Sequence, residues 1–184
     1  MSGFIRRSKR TVYENPWIRF EAYEIVHPSG HAGEHGLVWA PPAVAVVALD
    51  GEDVLLARQW RFAIDREIVE VVKGGGTPGE APQRGAEREL REELGYTAGR
   101  WDDLGVAYEL PAIVQPAVHL FLARDLIAVG HDQQAEESIA TIRMPLAAAL
   151  AACENGEIVD AITGLALMRT MARLRDLPPA RLAP

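Results

Sequence analysis

The chain has 184 residues, 48% hydrophobic and 24% charged, and its 19 Lys and Arg against 26 Asp and Glu leave a formal net charge of −7. These are proportions of a globular chain that can bury a core without disulfides, and the acidic balance disfavours a nucleic-acid partner, which needs a basic face. No apolar run reaches the roughly 18–20 residues that span a bilayer, the charged start lacks the apolar stretch of a secretory signal, and the single Cys153 forms neither an intrachain disulfide nor a zinc cluster, so the expectation is a cytoplasmic protein with no membrane partner.

Residues 1–40 read as a small antiparallel β segment. Trp17 to Val26 alternates in part, placing Ile18, Phe20, Ala22 and Glu24 on one side, and Pro28-Ser29-Gly30 signals a turn before Gly36 to Trp39 resumes an extended run. Pro41-Pro42 separates this segment from a main domain, residues 41–184. Ala43 to Leu49 is an apolar strand, Asp50 to Asp53 a hairpin turn, and Val54 to Ala57 the return strand. Glu67 to Val72 is a further strand and Lys73 to Gly79 a glycine-rich loop. Pro82 to Leu94 is a helix with Gly95 just past its end. Val106 to Tyr108, Val118 to Ala123 and Ile139 to Arg143 read as strands, Pro145 to Cys153 as a helix, and Asp160 as the cap of a last helix that runs to about Arg175. Mixed elements with hairpins predict a mixed sheet sandwiched between helices.

The stretch Gly74 to Tyr96 carries the chemistry. At about 100° per residue, with Glu89 at zero, Glu92 falls near about −60° and Glu93 near about +40°. The apolar Ala86, Leu90 and Leu94 lie immediately beside these acids, so the carboxylates flank the buried stripe at the rim of a cleft. Like charges so close repel. Arg88, one turn before Glu92, relieves part of this, and a divalent cation can take the rest. Oxygen-only ligands select Mg²⁺, with Mn²⁺ as substitute, over zinc. Glu80 adds a fourth carboxylate, and the carbonyls of Lys73 and Gly74 offer further oxygens. A bound metal would let an acidic protein grip a small anion. The bland alternative, a solvated acidic helix, does not account for the Gly74-Gly75-Gly76 run before it, which also lacks the Gly-Lys-Ser/Thr of a P-loop.

The stretch resembles the Nudix box, G-x5-E-x7-R-E-U-x-E-E-x-G-U with U a bulky aliphatic residue. Gly74, Glu80, Arg88, Glu89, Leu90, Glu92, Glu93 and Gly95 occupy its defined positions without a gap, and Tyr96 replaces the last aliphatic residue. The resemblance implies an α/β fold, an α/β/α sandwich around a mixed sheet, and hydrolysis of a nucleoside diphosphate linked to another group. It implies Glu89, Glu92 and Glu93 as Mg²⁺ ligands, with Glu80 and Arg88 orienting them and Glu93 also a candidate catalytic group.

The resemblance extends to ADP-ribose pyrophosphatases and their nucleotide-sugar relatives through Leu56 to Arg61, Glu70, Pro111, and the tail Ile139 to Pro145 and Gly156 to Ala161. It implies a homodimer built partly through the N-terminal segment, and a catalytic or metal-binding glutamate at Glu136 or Glu137. The segment Ala112-Ile113-Val114-Gln115-Pro116 departs from the subgroup's Gly-aromatic-Ser-Asp/Asn-Glu, so another nucleotide sugar such as a GDP-sugar, a dinucleotide, or a non-catalytic nucleotide-binding module stay as alternatives. Glu70 and Pro111 are substrate-site candidates by the same resemblance. Arg58 and Arg61 either contact phosphate or form a surface strand pair. Trp17, Trp60 and Phe20 could stack on a base, but core packing is the favoured reading for each. His27, His31 and His35 are spaced like helical metal ligands, yet the intervening Pro28, Gly30 and Gly33 exclude that helix. His119 and Cys153 read as packing residues.

Overall fold

Two sheets organise the protein, described in a computed structural model over residues 3–130 and 139–176. The first is antiparallel and contains β1 (Ile5–Glu14), β2 (Arg19–Val26) and β3 (Ala32–Trp39). The facing of β2 differs from the expected one. Glu21, Tyr23 and Ile25 are buried together with Ala22, whereas Glu24 is exposed. Glu21 tolerates burial because Lys9 lies 2.7 Å and Arg19 3.1 Å from its Oε1, and the Tyr23 hydroxyl donates to Oε2 at 2.6 Å. Lys9 first, then the Tyr23 hydroxyl, pull the carboxyl down to about 2.

The second sheet has the order β10–β5–β4–β9–β8, with β6 on β5 and β7 on β4. Its strands are β4 (Ala43–Asp50), β5 (Asp53–Arg61), β6 (Arg66–Glu70), β7 (Val72–Gly75), β8 (Tyr96–Ala107), β9 (Val118–Ala128) and β10 (Ala140–Pro145). The β4–β9 pair is parallel and the others are antiparallel, so the sheet is mixed. The uninterrupted apolar run in β4 follows from burial on both faces. Val44, Val46 and Ala48 pack under α1 (Pro82–Glu89), while Ala45, Val47 and Leu49 pack with α2 (Leu146–Glu154) and α3 (Ala161–Arg175). The result is an α/β/α sandwich with antiparallel N-terminal strands. Cys153 packs at the α2–α3 contact, as its setting suggested.

A fork in the sheet positions everything that follows. β4 and β5 pair only from Ala48–Leu55 to Asp50–Asp53. Beyond that β5 takes β6 as its partner and β4 takes β7, and the chain crosses between them at Val71. The single strand expected over Glu67 to Val72 is therefore two, and the expected loop from Lys73 begins as strand, with Gly74 opposite Val44 and Gly75 opposite Ala43. β8 is far longer than Val106 to Tyr108. Its charged residues hid it: Asp102 binds Arg124 across the sheet and Arg173 of α3, so the acid is satisfied within a strand.

Candidate active site

Helix α1 starts at Pro82, where a proline's missing N–H costs nothing. It continues as a widened, π-type turn over Leu90–Leu94, and the chain leaves at Gly95 with φ 74°, a left-handed conformation that favours glycine. Ala86, Leu90 and Leu94 are buried against Val44, Val46 and Leu55 and hold the helix on the sheet. The carboxylates sit deeper than a regular helical projection placed them. Glu89 and Glu93 are 8% and 5% exposed, and Glu92 is half-buried. For Glu92 and Glu93 the widened turn breaks the constant angular step that the projection assumed, while Glu89, in the regular part, lies against the Gly74 backbone.

Arg88 is the hub. Its Nη1 donates to Glu89 Oε1 at 2.7 Å and to Glu92 Oε2 at 3.0 Å. Its Nε and Nη2 donate to the two oxygens of Glu80 at 3.3 and 3.2 Å, and Nη2 also reaches the Gly75 carbonyl at 3.0 Å. Glu80 accepts as well from the Thr77 backbone N–H at 3.1 Å. Arg88 first and Thr77 second hold the Glu80 carboxyl below the usual carboxylate range. The acids in turn push the guanidinium further up, the Glu80 hydrogen bonds being the largest cause. A groove of about 440 Å³ opens along this side of the helix, lined by Glu80, Arg84, Glu87, Arg88, Arg91, Glu92 and Thr97. His119, half-buried, lines a smaller crevice beside Glu80.

The residues fit a hard divalent cation in chemistry. Glu80, Glu89, Glu92 and Glu93 supply only oxygen. Gly74 forms a cradle: a Cβ there would overlap the Glu89 carboxylate. Among the described residues no three acidic, His or Cys groups already converge on one point, because the Arg88 guanidinium lies between Glu89 and Glu92.

Several candidates lie elsewhere. Arg58 is not brought to the carboxylates: it lines a groove with Arg66, Glu157 and Val159 and shares the face of Leu56, which packs in the α2–α3 core. Arg61 and Glu70 are engaged with each other, Nε to Oε1 at 2.6 Å, and Glu70 is fully buried. The Lys73 side chain does not project to solvent. It runs to the α3 side of the sheet, 2.7 Å from both Glu70 Oε2 and Asp160 Oδ1. Burial opposes its charge, but Asp160 and Glu70 outweigh that and raise its pKa. Pro111 lines a separate cavity of about 440 Å³ against the N-terminal sheet, with Tyr23, His35 and Leu37 among its walls. Trp17 and Trp60 are 73% and 56% exposed, so neither packs in the core. Trp17 sits in the β1–β2 turn, which the Asn15 side chain closes, and Trp60 lies on the part of the β5–β6 hairpin beyond the fork. Glu136 and Glu137 lie outside the described residues.

Three contacts escaped the sequence reading: Thr77 N–H on Glu80, the Gly75 carbonyl on Arg88, and the link from Lys73 to Asp160. The first two use backbone atoms, which no residue type announces. The third spans 87 positions of chain, and its only local signal was a lysine between Val72 and Gly74.

Comparison with known proteins agrees with this geometry. The NUDIX domain model matches residues 39–161. The chain is 31% identical over 163 residues to the ADP-ribose pyrophosphatase of Bacillus subtilis (strain 168), covering 87% of this chain and 88% of that one. It is 28% identical to the methanol dehydrogenase activator of Bacillus methanolicus, covering 85% and 86% of the two chains. A crystal structure of an ADP compounds hydrolase shares the fold, with a TM-score of 0.85 at 21% identity over 95% of this chain and 96% of the other.

Proposed function

The chain belongs to the Nudix family and is a pyrophosphohydrolase, and from that premise we propose that it splits the diphosphate of a nucleoside diphosphate sugar, ADP-ribose first among them, to AMP and ribose 5-phosphate. One observation carries the reading: Glu80, Glu89 and Glu92 are drawn onto a single guanidinium while the Gly74 backbone lies against Glu89. Arg84 and Arg91 line the same groove, and a divalent cation seated among the carboxylates would let that groove take a diphosphate.

Glu89, Glu92 and Glu93 would hold Mg²⁺ or Mn²⁺, with the carbonyls of Gly74 and Lys73 as further oxygen donors. A bound metal supplies charge neutralisation on the phosphate oxygens and an activated water. Glu80 and Arg88 keep the acids oriented through the contacts already described. Glu93, and by the family resemblance Glu136 or Glu137, are the candidates to take the water's proton. Arg61, Glu70, Pro111 and Trp17 serve the substrate side in this reading only by position or through a partner chain. Residues 1–40 would build a homodimer on the domain of residues 41–184. Exposed Phe4, Ile5, Val12, Tyr13 and Trp17 support that role. The cytoplasm is the compartment we assign. No described helix is long and apolar enough to cross a membrane.

A second reading, another nucleotide sugar such as a GDP-sugar, or a dinucleotide, as substrate, rests on the turn after Pro111. Ala112 and Ile113 there spend their carbonyls on His35 and Val38 of the N-terminal sheet, and the segment Ala112 to Pro116 carries neither acid nor hydroxyl. A metal-dependent hydrolysis screen over ADP-ribose, other nucleotide sugars, dinucleoside polyphosphates and nucleoside triphosphates decides between them. Release of AMP and ribose 5-phosphate supports the first reading, turnover of triphosphates alone rejects both nucleotide-sugar readings, and tight binding without turnover points to a regulatory module.

A further inference from the structure

The carboxylate site stands on β7, a strand of four residues paired with β4 alone. So short a strand with one neighbour has little of its own to hold it in place. Yet it must be held, because Gly74 lies against Glu89 and the Gly75 carbonyl takes Arg88. The anchoring contacts come from the other face of the sheet. Lys73, the residue before Gly74, places Nζ 2.7 Å from Asp160 Oδ1 and 2.7 Å from Glu70 Oε2. The other oxygen of Asp160 accepts from Thr163 N and Oγ1 at 2.8 and 2.7 Å, and Thr163 Oγ1 accepts from Val71 N at 3.0 Å. A closed ring of contacts therefore ties the start of α3 to the strand at Val71 and at Lys73. The ring is balanced, with Lys73 and Arg61 against Glu70 and Asp160.

We propose that Lys73 is a positioning residue: its ammonium, gripped by Asp160 at the start of α3 and by Glu70 at the fork, sets where β7 lies beneath Glu89 and Arg88. The proposal rests on the reading of that carboxylate cluster as the hydrolytic site. The Lys73 ammonium contacts none of Glu80, Glu89, Glu92 and Glu93, and acts on them through the backbone of residues 73–75. Placing an acid a fraction of an ångström wrongly slows chemistry more than it weakens binding.

The test compares the full-length protein with Asp160→Asn and Lys73→Met variants. Asparagine still caps a helix, so Asp160→Asn removes the charge contact while α3 keeps its cap, and it stands in should Lys73→Met fold poorly. Amide exchange by NMR is expected to quicken about tenfold at Gly74 to Gly76 and to stay unchanged along α3. Mn²⁺ affinity, read by EPR without substrate, falls in parallel. kcat drops about tenfold with KM within about twofold, and the double variant is no worse than the worse single one. Unchanged exchange at Gly74 to Gly76 overturns the proposal, as do additive single effects. A lowered Tm with exchange and kcat unchanged leaves Lys73 merely structural and overturns it as well. If the wild-type protein hydrolyses no nucleoside diphosphate sugar, the substrate reading fails by itself, and exchange and Mn²⁺ affinity still decide the role of Lys73.

Discussion

Two groups of charged side chains flank β7. On the α1 side, Arg88 bonds Glu80, Glu89 and Glu92, with Glu93 on the same helix. At the fork, Glu70 and Asp160 meet Arg61 and Lys73, with the Lys73–Asp160 contact on the α3 side, and each acid has a cation within 2.7 Å. The second group is matched, with Glu70 fully buried, Lys73 and Asp160 mostly so and Arg61 at its open end, because unpaired charge is costly to bury. The first lies beside an open groove that Arg84, Glu87 and Arg91 also line. The contrast is one of access, a group open to a groove against one drawn into the core.

The contrast breaks most completely on metal removal. EDTA is expected to abolish hydrolysis, and Mg²⁺ or Mn²⁺ to restore it and raise Tm by linkage; full activity after exhaustive chelation contradicts the metal reading. Next in size is Glu93→Gln, which should lower turnover roughly 10²- to 10⁴-fold with the circular dichroism spectrum unchanged. Near-normal turnover counts heavily against the proposed role of that acid. On the matched side, Glu70→Ala leaves Lys73 and Arg61 short of a partner and should cost about 3 kcal/mol, seen as a Tm lower by on the order of 10 °C. An unchanged Tm would show that the ring is not structural. Gly74→Ala sharpens the comparison from between the two groups. Its Cβ displaces the Glu89 carboxylate, so turnover should fall about tenfold while Tm moves far less than in Glu70→Ala.

The smallest effect is in acid. The Glu80 carboxyl is held below its ordinary 4.5, so its contribution to stability is complete above that value and is lost as pH falls through the lower folded value. Thermal melts of wild type and Glu80→Gln should differ at pH 6 and converge as the pH falls below the lowered value. Parallel curves down to the most acid point would remove Arg88 and Thr77 as stabilising partners of Glu80.

Much of this site was legible in the chain itself. The helix, its terminating Gly95, and the grouping of Glu89, Glu92 and Glu93 beside Leu90 and Leu94 all follow from local spacing, and the structure keeps them together. The strands β4 and β5 and the hairpin between them were equally plain, since an apolar run flanked by Asp50 and Gly51 has few other uses. Misreadings arose where a polar residue was satisfied from far away. Asp102 in β8 answers to Arg124 and Arg173, Glu21 in β2 to Lys9 and Arg19, and Lys73 to Asp160. Arg58 and Arg61 looked equivalent in sequence, yet the first serves the α3 face and the second is paired with Glu70 at the fork.

What the sequence determined by itself is the chemistry. Residue types at fixed short spacings set the acids, the arginine and the glycines on one loop and helix, because helix geometry makes neighbours of residues three and four apart. Only the tertiary structure decided which charges are drawn into the core as matched pairs and which stand beside a groove, because that depends on partners brought together across the sheet fork and over long chain separations. It also decided that β7 lies between the two groups, with a glycine facing one and a lysine facing the other.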